Sequence, residues 1–139
     1  METSYTNLES VSFNSELKNL IIVEELINVM CQDAEVDQDH YGNYLIAVTE
    51  AVNNAIIHGN LEDKEKQVKI DIQKGSDEIR FIVCDQGVGF SFDNLPDPTA
   101  PENIEKESGR GIFLMKSLSD NVEFEEKGSK VIISFNTAK

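Results

Sequence analysis

Apolar positions along the chain follow two spacings, one helical and one alternating. Leu8 to Phe13 (L-E-S-V-S-F) alternates and predicts a first strand, with Asn14 or Ser15 placed to cap the helix that follows. From Glu16 to Cys31, Leu17, Leu20, Ile21, Val23, Leu26, Ile27 and Met30 recur at helical spacing and leave Glu24 and Glu25 outward, which predicts an amphipathic helix. An acidic connector over residues 32–39 leads to a second helix, Asn43–Asn60, starting there or a few residues earlier and stopped by Gly59. Val68 to Gln73 alternates strictly, Gly75-Ser76-Asp77 reads as a turn, and Glu78 to Cys84 is a second strand run; the pair predicts an antiparallel hairpin. Ile112 to Leu118 predicts a short helix. Asn121–Glu126 and Lys130–Phe135 predict another hairpin around Lys127-Gly128-Ser129. This order is an α+β pattern: a two-layer α/β sandwich with helices on one face of a mostly antiparallel mixed sheet.

The second helix organises the rest. Leu45, Val48, Val52, Ala55 and Ile56 share one face, while Glu50, Asn54 and His58 line up on the other, flanked by Ile46, Ala47, Ala51 and Ile57. A solvent-facing stripe would be wider and richer in Lys and Glu. A narrow polar stripe between apolar shoulders is either the lining of a pocket or a satisfied polar seam in a core helix.

Composition narrows the function classes. The 139 residues suit one domain, 1–139, with one core. The net charge of −14 argues against a nucleic-acid binder, which needs a basic patch to displace counterions. It fits a basic partner surface, or solubility alone. The polar start has no basic region followed by an apolar run, and no segment is apolar enough to span a bilayer, so neither secretion nor a membrane is expected. Cys31 and Cys84 are far apart, fit no zinc spacing, and are expected as buried free thiols of a cytoplasmic protein.

Three short motifs carry candidate chemistry. The first is Glu50-Ala-Val-Asn-Asn54-Ala-Ile-Ile-His58-Gly59: Asn54 offers an amide oxygen to a hard cation such as Mg²⁺, and Glu50, one turn earlier, can take a proton from a hydroxyl. The second is Asp85-Gln-Gly87-Val-Gly89 at a strand end, where the carboxylate can accept from an amino group and the glycines let a ligand approach the backbone. By itself this is also the sequence of a tight turn. The third is Ser108-Gly109-Arg110-Gly111-Ile112 at a helix start, where free N–H groups favour anions. By itself it is also an ordinary loop-to-helix turn. Between the second and third, Ser91 to Ser108 holds all three prolines and little apolar periodicity. Loops of roughly this length inside a small domain are often functional lids.

In this order the motifs resemble the nucleotide-binding boxes of the ATPase superfamily that includes gyrase, Hsp90, histidine kinases and MutL, over about Tyr44 to Phe135. The runs E-A-V-N-N-A-I-I-H-G-N and S-G-R-G-I-F-L-M are most similar to the bacterial anti-sigma factor serine kinases. The resemblance implies a serine/threonine kinase that uses ATP and Mg²⁺, and an anti-sigma factor. Such a protein phosphorylates an anti-anti-sigma partner and sequesters a sigma factor as a homodimer. It implies that Asn54 holds Mg²⁺ on the phosphates and that Glu50 is the catalytic base. Asp85 would take the adenine amino group, with Gly87 and Gly89 shaping its pocket. Ser108, Gly109, Arg110 and Gly111 would contact phosphates beside an ATP lid over 91–108. Two other readings share these motifs: a switch kinase of a stressosome-type system, and a nucleotide-dependent binding module without catalysis.

Overall fold

The second helix of the sequence is built as an α-helix over Tyr41–Asn54 followed by a wider π-turn over Ala55–Gly59. The structure is a computed structural model and describes residues 5–32, 40–87, 107–126 and 129–137. In chain order its elements are β1 (Thr6–Asn14), a 3-10 turn (Leu17–Asn19), α1 (Leu20–Met30), α2 (Tyr41–Asn54), the π-turn, β2 (Gln67–Lys74), β3 (Glu78–Cys84), α3 (Glu107–Leu118), β4 (Asn121–Glu125) and β5 (Lys130–Asn136).

The strands form one sheet in the order β1-β2-β3-β5-β4, and all four pairings are antiparallel. The alternation read from the sequence decides which side meets the helices. Val68, Ile70 and Ile72 of β2 face inward with Ile79, Phe81 and Val83 of β3 and Val131, Ile133 and Phe135 of β5. Burying each such side chain contributes about 1.5–3 kcal/mol. α2 lies across this layer on Tyr44, Ala47, Val48, Ala51 and Val52. Tyr44 packs edge-on against Phe135 at 4.8 Å between ring centres, and Phe81 meets Phe135 the same way at 5.8 Å. Such edge-to-face pairs add to simple burial because ring edges and faces carry opposite partial charge. The chain is thus a two-layer α+β sandwich, as its pattern predicts.

The structure departs from the expected local detail in several places. Ser15 does not cap the first helix: its hydroxyl donates to the Lys66 carbonyl at 2.8 Å, and the turn opens from an extended Glu16 without a side-chain cap. Ala47 and Ala51, expected on the shoulders of α2, are buried, while Leu45 is only partly so. α3 starts at Glu107, so Ser108–Gly111 occupy its first turn. The rest of the expected lid, 91–106, lies outside the described residues. Cys31 is buried, but Cys84 is half-exposed on the far side of the sheet, paired with Lys69 and Lys130, because strand alternation turns it away from Val83.

Gly59 also differs in role. It does not stop the helix with a left-handed backbone. That conformation falls on Leu61 and Glu62, with φ of 53° and 56°, and the Glu62 N–H closes on the Ile56 carbonyl at 2.7 Å.

Candidate functional site

Glu50 and Asn54 stand one turn apart on α2, both half-buried. His58, expected to extend the same stripe, is exposed. The π-turn explains this: the Asn60 N–H reaches five residues back to the Ala55 carbonyl at 2.8 Å, so the turn is wider than α and the residues after Asn54 fall out of phase. The first turn of α3 backs onto both polar residues. A methyl group on Gly111 would sit 2.8 Å from Glu50 Oε2 and 3.5 Å from Asn54 Nδ2, so a side chain there would push the Glu50 carboxylate aside. The first and third motifs therefore meet in space at Gly111. The side chains of Ser108 and Arg110 lie outside what the structure describes, with Gly89.

The second motif is placed against the end of the π-turn. Asp85 follows β3, and its N–H donates to the Ser129 carbonyl at 2.8 Å. Its Oδ1 accepts the Gly87 N–H, also at 2.8 Å. A methyl on Gly59 would lie 2.3 Å from Asp85 Oδ2, and one on Gly87 would lie 2.0 Å from the Gly59 carbonyl oxygen. Gly59 leaves room for the Asp85 carboxylate, and Gly87 leaves room for the backbone of the helix end.

Between them lies a narrow recess, open to solvent, lined by Ala51, Asn54, Ala55, Val83, Asp85, Met115, Phe124 and Val131. Six of the eight lining residues are apolar, and the two polar ones are the candidates of the first and second motifs. Apolar walls with a few placed polar groups suit a flat ring system that hydrogen-bonds at one edge. A second groove of about 250 Å³ runs between α1 and α2, lined by Leu20, Glu24, Leu45, Ile46, Thr49 and Glu50. Glu50 thus borders the outer surface of the helical layer, whereas Asn54 borders the recess.

Burial pushes the Asp85 carboxyl above its ordinary value; the Gly87 N–H and the charge of Lys66 pull it down without cancelling this. Folded Asp85 therefore holds its proton more tightly than in the unfolded chain. Its charge is a cost to folding near neutral pH, relieved as the pH falls through the raised value towards the unfolded one. Among the described residues no three His, Cys, Asp or Glu side chains cluster as a metal site. A single amide oxygen at Asn54 still fits Mg²⁺, which keeps several waters and takes its other ligands from phosphate oxygens.

Sequence patterns did not reveal Met115 and Phe124 as walls of the recess, nor the role of Asn60, which is fully buried. The first two sit in periodic apolar runs that look like any core. Asn60, directly after Gly59, looks like a surface residue.

Over residues 13–135 the sequence matches the histidine kinase-like ATPase domain, and the chain belongs to that family. Within it, the chain is 31% identical over 135 residues to an anti-sigma F factor of Clostridium kluyveri, a match covering 93% of this chain and 94% of that protein. To an anti-sigma F factor of Clostridium beijerinckii it is 27% identical over 133 residues, with 91% of this chain and 92% of the relative covered. It is also 34% identical over 90 residues to the serine-protein kinase RsbW of Bacillus subtilis, across 60% of this chain and 56% of that protein. Among the described residues no helix is long and apolar enough to cross a membrane.

Proposed function

We propose that this chain, acting as one domain in the cytoplasm, binds ATP with Mg²⁺ and transfers the terminal phosphoryl group to a serine of a small anti-anti-sigma protein. In its nucleotide-bound, homodimeric form it holds a sigma factor. The observation that carries this reading is the recess that joins Asn54 to Asp85 with Glu50 and Gly111 beside it. The similarity to anti-sigma F factors and to a serine-protein kinase supports the partner class.

Each group has a task suited to its place. Asp85 accepts from the amino edge of adenine between apolar walls. Asn54 holds Mg²⁺, which when bound offsets the charge of the phosphates. The first turn of α3 offers its free N–H groups to those phosphates. Phosphoryl transfer asks a protein for positioning and charge more than for covalent chemistry. Glu50, at the border of the α1–α2 groove, meets an acceptor hydroxyl that arrives from outside the nucleotide pocket.

The direct test is a thermal melt with nucleotide. A ligand at a hundredfold its dissociation constant adds about 2.7 kcal/mol, which for a chain of this size raises Tm by roughly 8 °C. Mg-ATP should produce a rise of that order, and EDTA should reduce it. An unchanged melt at millimolar nucleotide would refute the reading.

The base-recognition step has its own expected result. An ionised carboxylate only accepts hydrogen bonds, whereas an amide presents one donor and one acceptor group. Asp85→Asn should therefore weaken ATP binding at least tenfold by titration calorimetry. Wild-type affinity in this variant would remove Asp85 from base recognition.

A further inference from the structure

Asn60 is fully buried and polar, and its amide is divided among three segments of the chain. Nδ2 donates to Ser15 Oγ at 2.7 Å and to the Gln67 carbonyl at 3.0 Å. Oδ1 accepts the backbone N–H of Gln86 at 2.8 Å. Gln86 returns the link, since its side-chain oxygen accepts the Gln67 N–H at 2.6 Å.

The first two bonds brace elements: the entry to α1 and the start of β2. The third is of another kind, because Gln86 follows Asp85 directly. The position of the Asp85 backbone is then fixed from both sides. Its own N–H is held by Ser129, and the next N–H is held by Asn60. The Gly87 N–H on Oδ1 orients the carboxylate within that frame. Without Asn60 the turn keeps its tether to the β4–β5 connection and loses its side-chain tether to the end of α2. Both walls of the recess are needed to place the carboxylate against a ring held between them.

We infer that Asn60 is a specificity-determining positioning residue, which sets the Asp85 carboxylate so that the recess takes a purine with an amino group, and not a carbonyl, at that edge. The inference rests on the nucleotide reading of the recess. An ionised carboxylate attracts the adenine amino group and repels the carbonyl oxygen that guanine carries at the same place. Discrimination of this kind depends on placement, because a carboxylate free to move away from the oxygen no longer excludes it.

The test compares Mg-ATP and Mg-GTP affinities, by calorimetry on the full chain, for wild type, Asn60→Ala and Ser15→Ala, with a melt of each. Asn60→Ala should lower the ATP-to-GTP preference by about tenfold, the scale of one lost buried hydrogen bond. Ser15→Ala breaks the same network but leaves the Asn60–Gln86 bond. It should lower Tm and keep the preference. If Asn60→Ala does not fold, Asn60→Ser serves, since its shorter side chain leaves the Gln86 N–H out of reach and the same loss is expected. A preference that survives at residue 60, or falls equally in Ser15→Ala, overturns the assignment of Asn60 alone. A wild-type protein that binds neither nucleotide, or both alike, overturns the nucleotide reading and this assignment with it.

Discussion

Glu50→Gln is expected to leave ATP affinity within about twofold of wild type while slowing phosphoryl transfer to the partner protein by roughly 10²–10⁴-fold. A serine hydroxyl is a weak nucleophile until a base takes its proton. Glu50 is the described carboxylate that stands one turn from Asn54 and touches the α1–α2 groove as well. The amide of glutamine keeps the shape of the side chain and cannot take the proton. Asn54→Ala should behave differently and lose Mg-nucleotide affinity and transfer together. Single-turnover phosphorylation beside nucleotide titration separates the two. Transfer at the wild-type rate in Glu50→Gln would return the stripe on α2 to a plain polar seam.

Gly59→Ala should lose adenine-nucleotide binding as completely as a change at Asp85 itself, though residue 59 carries no chemistry. Its methyl group would overlap both Asp85 oxygens, at 2.3 and 2.8 Å, so the carboxylate must swing out of its place. Gly87→Ala meets something harder. The obstacle is the Gly59 carbonyl, at 2.0 Å to oxygen and 2.6 Å to carbon, and backbone cannot rotate aside. Overpacking of this kind costs typically 1–3 kcal/mol, or about 3–10 °C in Tm. The expected contrast is a binding defect with a modest melt shift for Gly59→Ala and a clear loss of stability for Gly87→Ala. If both variants melt and bind as wild type does, the helix end and the Asp85 turn are not packed as described.

The layers of the fold were legible because they rest on periodicity. Alternation in Val68–Gln73 and Glu78–Cys84 decides which side chains face α2, and the structure follows it. What periodicity cannot carry is a change of period. Nothing in A-I-I-H-G announces a π-turn, so His58 was grouped with Glu50 and Asn54 by an α spacing that ends at Asn54. Gly59 was legible as a special position but for a different reason. A helix stop and a close approach both call for glycine, and only the position of Asp85 in space tells them apart. Asn60 was not legible at all, since its three partners lie in segments far apart in sequence. Asn54 and Asp85 could be chosen by residue type and motif. Their shared recess depends on how α2 crosses the end of β3, which is a property of packing.

The π-turn also decides where the chain can change length. The turn already holds one residue more than an α-turn, with the Asn60 N–H on the Ala55 carbonyl, so it has no slack for a second. Inserting one residue between Ala55 and Gly59 would turn everything after it by about 100° and shift it by about 1.5 Å, enough to carry the helix end off Asp85. The length of this one turn is therefore set by its contact with Asp85, and an insertion there is expected to open the recess.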